Sequence, residues 1–302
     1  MSYPQRARLP DGRWHWQHGP IDLVIGADGD MAAIAAAEAA AWASFQGLLA
    51  DLVGELPLLR RPVAAAPAAN PLRGPVARCM WAACAPLREA ADGYLTPMAA
   101  VAGSVAQALI AHYRRPGIQR AWINNGGDIA LHLAPGASVR VGLFADLARL
   151  DADTLAATAT GPLRTDAAFT VQAADAICGV ATSGWRGRSH SRGIADSVTV
   201  LAATAAMADA AATVIANLVD VDHPAIGRQP ARSLRDDSDL GELLVTVRVP
   251  PLLPALVLAA LQRGLACARS LQRDGLVSAA LLACQGSCLR LAAVQLPECS
   301  LV

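Results

Sequence analysis

The chain predicts an α+β fold, and three observations carry that expectation. Long Ala-rich segments without internal proline read as helices, and short alternating apolar segments bounded by Gly, Asn and Asp read as strands. The two kinds of segment do not alternate strictly, which argues against a βαβ series. Composition agrees: 54% of the residues are hydrophobic and only 4% aromatic, so Ala, Leu and Val must build the core. Alanine fills little volume, which favours helices packed closely on a sheet.

In order along the chain, Ile21–Gly26 alternates and leads into an Asp-Gly turn, a strand signature. Ala32–Leu56 has no internal proline and predicts a helix ending near Pro57. Residues 61–76 are dense in Pro and Ala and predict a loop. Pro97 opens an apolar segment that predicts one helix up to the Arg-Arg-Pro-Gly of 114–117, because proline in a first turn forfeits no intrahelical bond. Strands are predicted at Arg120–Asn124, Ile129–Leu133, Val139–Phe144, Phe169–Gln172, Ile177–Thr182 and Ser197–Leu201. Ala202–Val219 predicts a helix, 233–241 an acidic loop, Glu242–Val249 a strand and Leu252–Arg273 a last helix. Short apolar runs follow at 276–284 and 289–296.

Charge narrows the function classes. Basic and acidic residues balance at 25 each, and every fixed positive side chain is Arg, since the chain has no Lys. Zero net charge argues against nucleic-acid binding by bulk electrostatics. An all-Arg set favours forked contact with carboxylate or phosphate. Seven scattered cysteines without a CxxC pair read as small buried side chains in a reducing compartment. Residues 1–16 lack an apolar core, so no secretory signal is expected. The nearly uncharged run Val198–Val219 could pass for a membrane span. Asp209, Asn217 and its threonines would be costly in lipid, so it reads as a strand followed by a buried helix. The expectation is a cytoplasmic protein with no membrane partner, and Ala-rich apolar helices are compatible with a homodimer.

Three segments can carry chemistry. A fourth, the acidic loop Arg235–Gly241, could bind a divalent ion but lacks the full ligand spacing of a calcium loop and reads as a solvated turn. In Asn124-Asn125-Gly126-Gly127-Asp128, paired glycines at a strand end either let a ligand approach the backbone or form a tight hairpin. Gly179–Ser197 holds four Gly, four Ser, one Thr, three Arg and one His. Thr182, Ser183, Gly184 and Ser189 could cradle a phosphate that Arg186, Arg188 or Arg192 neutralises, with His190 as acid or base. A solvated basic loop is the competing reading. In the third segment, Ala203–Asn217, Asp209 is the only charge, and Thr213 shares its helix face. Carboxylate plus hydroxyl is hard oxygen ligation of the kind Mg2+ accepts. The alternative is a capped Asp, or one paired with Arg186 or Arg188.

Taken together, these segments resemble the ApbE (FAD:protein FMN transferase) superfamily. Gly103 stands at the glycine of that group's helix motif, Asn124–Asp128 at its Asn-x-Gly-Gly-Asp turn, and Thr182-Ser183-Gly184 at its Thr-Ser-Gly segment. Ser197–Val200 matches its Ser-Val-Thr-Val strand, and Ala208–Thr213 its Ala-Asp-Ala-x-x-Thr helix. The ordered set, spanning roughly 97–217, is far more specific than any one motif. The Lys before the helix glycine is Ala102 here. In place of the His-Ile-x-Asp-Pro-x-Thr-Gly motif stands the shorter His190-Ser191-Arg192-Gly193. Over most of the chain the resemblance is to a bacterial and archaeal branch of uncharacterised members.

The resemblance implies one domain over 1–302, built as two related antiparallel sheet-plus-helix halves of the tunnelling-fold type with the site between them. It implies Mg2+ on Asp209 and Thr213, with Asp209 and His190 in catalysis. Asn125, Gly126, Gly127, Asp128, Thr182, Ser183, Gly184, Arg186, Arg188 and Ser189 would contact FAD or another flavin nucleotide. The implied activity is FAD-dependent FMN transfer or FAD pyrophosphate cleavage. A non-catalytic nucleotide-binding module, or an enzyme on another small anionic substrate, fits the same residues.

Overall fold

A computed structural model describes residues 3–64, 69–143, 167–187 and 189–292. The architecture is α+β, and the strand pairings with an assigned register are antiparallel. Two compact units divide the chain: Met1–Val139 with Thr170–Ala181 and Leu201–Ala210, and Arg140–Phe169 with Thr182–Val200 and Ala211–Val302.

In the first unit, strands β1 (Gln5–Arg8), β2 (Trp14–His18), β3 (Ile21–Gly29), β4 (Ile118–Asn125) and β5 (Asp128–Leu133) lie side by side in that order. Helix α1 (Met31–Gly54) begins where the Asp30 carboxylate accepts from the Ala33 amide at 2.8 Å. Its buried residues Ala37, Ala41, Phe45, Leu48 and Leu52 recur at helical spacing, so they form one stripe. Trp16, fully buried on β2, meets Trp42 of this helix edge-on at 5.1 Å and Phe45 at 5.5 Å. Trp16 and Phe45, with Tyr113 and Met80, are among the bulkiest fully buried side chains of a core built mainly of Ala, Leu, Val and Ile. Among the described residues α1 is also the one helix with the length and apolar composition to cross a membrane. The run flagged in the sequence, 198–219, is a strand and a shorter helix instead.

Several expectations change here. The opening hairpin β1–β2 was not expected; Pro10-Asp11 makes its turn, closed by the Gly12 amide on the Leu9 carbonyl at 2.9 Å, and alternation is short and masked by Trp and Arg. Helix α2 (Pro75–Cys84) starts at the end of the Pro-rich loop, with Gly74 and Pro75 as its start signal. The single helix expected from Pro97 to Tyr113 is three pieces. A 3-10 turn, Pro97–Ala100, precedes α3 (Val101–Ile110), and another, Ala111–Tyr113, follows it. The break lies at Ala100, whose ψ of 15° departs from helical geometry and aims the first amides of α3 away from the preceding turn.

Strands β6 (Ser138–Leu143) and β7 (Ala167–Gln172) pair as a separate sheet, and residue 144 of the expected strand lies outside the described residues. Next come β8 (Gly179–Ser183), whose first residues pair with β5, and β9 (Ser197–Ala202). Helix α4 (Ala205–Leu218) is next, its start capped by the Thr204 hydroxyl, which accepts from the Met207 amide at 3.2 Å.

The second unit adds a small sheet of β10 (Gly227–Pro230) and β11 (Leu244–Arg248), then α5 (Pro254–Arg273), β12 (Ala279–Cys284) and β13 (Ser287–Leu291). Residues 293–296 of the last expected apolar run lie outside the described residues. The described cysteines are thiols, and burial pushes Cys267 up to about 11 and Cys284 up to about 12.

Candidate functional site

Within the first unit, Asp209 is half-buried on a helix whose other residues from Ala205 to Ala212 are Ala and Met. Its Oδ2 accepts from the Gly103 amide at 2.8 Å, and the Ala102 amide bears on it too. Both amides lie in the first turn of α3, where N–H groups lack an intrahelical acceptor. A carboxylate there also meets the positive end of the helix dipole. The favour is returned: Gln107 of α3 accepts through Oε1 from the Ala206 amide, in the first turn of α4, at 3.1 Å. Each helix start is therefore capped by a side chain of the other.

This close approach requires glycine at 103. A Cβ there would run into the carbonyl oxygen of Ala205 and come within 2.8 Å of the Asp209 Cβ. Asp209 is held well above the ordinary carboxylate range, first by desolvation and then by the negative charge of Asp128; the Gly103 and Ala102 amides pull it back. Two neighbouring carboxylates, one of them desolvated, form a donor set that suits a hard divalent cation. Among the described residues, no group of three or more His, Cys, Asp or Glu gathers to hold a metal. A cation here would therefore draw its remaining ligands from hydroxyl, carbonyl, water or phosphate oxygen. Thr213 stands half-buried one turn along α4 from Asp209.

The Asn-Asn-Gly-Gly-Asp segment is a two-residue hairpin: Asn125 pairs with Asp128 across Gly126 and Gly127, whose φ values are 66° and 113°. Both values favour glycine. The Gly127 amide donates to Asn124 Oδ1 at 2.8 Å, and the space beside Gly127 is open. Asn125 is turned inward, only 4% exposed, and its Nδ2 donates to the Ala102 carbonyl at 3.1 Å.

Within the second unit, Thr182 and Thr199 share a hydroxyl hydrogen bond of 2.8 Å. The Trp185 amide donates to Ala195 O at 3.0 Å and its indole N–H to Asp196 Oδ1 at 3.3 Å, while the Arg186 guanidinium lies 4.7 Å over the indole ring. Ser183 and His190 are half-buried, Gly184 is buried, Ser189 is exposed, and Arg188 lies outside the described residues. Beyond His190 the loop is pinned. Asn217 Oδ1 accepts from Ser191 Oγ at 3.1 Å and from the Arg192 amide at 2.8 Å. The Thr246 hydroxyl of β11 donates to Arg192 O at 3.1 Å.

Asn217, Gln107 and Asp196 were not singled out from the sequence. An amide at the end of an apolar helix was the available signal for Asn217; nothing local marked the other two. Replacing Asn217 by Ala orphans one amide and one buried hydroxyl. It is expected to cost about 1–3 kcal/mol, measurable as a lower midpoint in urea denaturation, with faster proteolysis at 186–192.

A family model described as AbpE bacteria matches residues 6–290. A UPF0280 protein of Methanopyrus kandleri is 37% identical over 154 residues, which is 50% of this chain and 56% of that protein. Another, from Methanospirillum hungatei, is 37% identical over 126 residues, 41% of this chain and 46% of that one. A third, from Methanoregula boonei, is 34% identical over 181 residues, 58% of this chain and 69% of that one. The chain spans about half the length of the first two of these relatives. Among solved structures, the apo form of the Pseudomonas stutzeri flavinyl transferase ApbE is similar, with a TM-score of 0.45 and 12% identity over 95% of this chain and 93% of that one.

Proposed function

Because this chain belongs to the AbpE bacteria family, we propose that it binds FAD, or a related anionic nucleotide, together with Mg2+. The observation that carries this reading is the Asp209 carboxylate, seated on the α3 amides with the charge of Asp128 beside it. Two carboxylates so placed repel one another, and a divalent cation removes that repulsion. Asp209 would hold the metal through its carboxylate, and Thr213 would add its hydroxyl. Bound magnesium supplies the positive charge that polarises a pyrophosphate.

The remaining residues have separate tasks. The open Gly126-Gly127 turn lets a ligand approach the backbone, with Asp128 at its edge. Thr182, Ser183 and Ser189 hydroxyls, the Gly184 backbone, and the Arg186 and Arg188 guanidinium groups would donate to phosphate oxygens. His190 would hold or deliver the proton of the attacking or leaving oxygen. The bond broken is the phosphoanhydride of FAD, and FMN passes to an acceptor hydroxyl or to water. A cytoplasmic setting belongs to the same reading, supported by described cysteines that form no disulfide.

Incubating the purified protein with FAD and Mg2+ tests this: release of AMP is expected, and neither product nor any thermal shift would overturn it. A second reading has its own support. The stretch that stands where the flavin transferases carry a longer His-to-Gly motif is short and pinned by Asn217 and Thr246. A binder that has lost transfer would give the thermal shift without AMP.

A further inference from the structure

The hairpin asparagine to which the resemblance gives a ligand contact is turned inward. Asn125 is 4% exposed and donates through Nδ2 to the carbonyl of Ala102. Ala102 precedes Gly103, whose amide meets Asp209 Oδ2 at 2.8 Å. The peptide linking Ala102 to Gly103 therefore carries both contacts: its carbonyl oxygen accepts from the hairpin and its N–H donates to the carboxylate. Because a peptide is planar, fixing the direction of its C=O fixes that of its N–H. Strand pairing in turn fixes Asn125, which lies in register with Leu23 on one side and Asp128 on the other. The peptide lies in the first turn of α3, where its N–H has no intrahelical acceptor and is free to meet the carboxylate.

We propose that Asn125 is a positioning residue of the cation site: by holding the Ala102–Gly103 peptide plane it aims the Gly103 amide at Asp209 Oδ2 and so fixes the orientation of the carboxylate that would hold the metal. The inference rests on the reading of Asp209 as a cation ligand. It also gives the Asn-Gly-Gly-Asp turn a division of labour. Asp128 contributes charge at the site, the glycines make the turn, and Asn125 works from behind through the backbone of α3.

The test uses the full chain and Mn2+, a hard divalent probe whose free and bound forms differ in electron paramagnetic resonance. Four proteins are compared at a temperature where circular dichroism shows each one folded: wild type, Asn125→Ala, Leu109→Ala and Asp209→Asn. Leu109, fully buried on α3, is a control for simple loss of stability. Asn125→Ala is expected to bind Mn2+ about 10- to 100-fold more weakly, the range for residues that orient a ligand from behind. Leu109→Ala, though less stable, should stay within about twofold of wild type. If Asn125→Ala does not fold, Asn125→Ser, which keeps a shorter donor, takes its place with the same expectation. Wild-type Mn2+ affinity in the position 125 variant, or equal weakening in the Leu109 control, overturns the proposal while loss in Asp209→Asn leaves the cation reading standing. Wild-type affinity in Asp209→Asn brings down the cation reading itself, and this inference with it.

Discussion

Asp209→Asn is expected to make the metal-free protein more stable at neutral pH and to erase its response to Mg2+. The sign follows from the site. Burial and the Asp128 charge raise the folded-state pKa of Asp209 well above 3.8. Between the ordinary value and the raised one, the folded protein holds a proton that the unfolded chain has released. Stability from this group is therefore fullest at acid pH and falls as pH rises through the folded pKa. Asparagine has no proton to lose, keeps an oxygen for the Gly103 amide, and is not repelled by Asp128. The stability gap between variant and wild type should therefore widen from about pH 4 to about pH 7 in the presence of a chelator. Adding Mg2+ should then raise the melting temperature of wild type and leave the variant unmoved. Metal-dependent product formation should fall about 100-fold or more. Thermal melts over that pH range, with and without Mg2+, decide the matter. Parallel curves for the two proteins would mean that Asp209 neither feels Asp128 nor takes a cation.

Gly103→Ala is expected to destabilise the protein, against the usual direction of such a change. In a helix interior this substitution gains up to about 1 kcal/mol from propensity alone. Here the new methyl meets backbone, the Ala205 carbonyl oxygen, and a Cβ fixed to the same helix. Neither obstacle is the movable end of a long side chain. Helix α4 has little room to retreat, because Ala205, Ala206, Ala208 and Ala210 are buried on it. Overpacking of this kind costs about 1–3 kcal/mol, which outweighs the propensity gain except at its lower end. It also pulls the amide away from Asp209, so Mn2+ affinity should drop as well. Gly47 on α1 is the internal control: nothing lies within 4 Å of a Cβ there. Gly47→Ala should stabilise by roughly 0.5–1 kcal/mol. Urea melts of the two variants give opposite shifts if close packing governs position 103, and the same shift if propensity does.

Much of the fold was legible because it is written in local pattern. Strand β3 alternates, α1 runs free of proline, and of the two readings open for Gly126-Gly127 the tight hairpin between β4 and β5 is present. The early hairpin and α2 were missed where Arg and Trp obscure a short alternation and where a Pro-rich loop hides a helix start. Likewise, apolar continuity from Pro97 to Tyr113 gave no hint that Ala100 breaks the helix, since the cause lies in what the first amides of α3 meet.

By itself the sequence determined the fold class and most element types, the order of the motifs, and the presence of one carboxylate in an otherwise apolar helix. That sufficed to pick out Asp209. It could not say what the carboxylate touches. The Gly103 amide is 106 residues away from it, and the Gln107 that answers it is 99 residues from Ala206. Helix-start amides accept any oxygen that folding delivers, so no spacing rule encodes such a partner. Tertiary structure alone decided that Asp209 sits on the start of α3 beside Asp128, and that Asn125 points inward to Ala102. The first is an outcome of two helix starts meeting over a glycine and the second of strand pairing that seats Asn125 beside α3, contacts that depend on packing and not on local sequence.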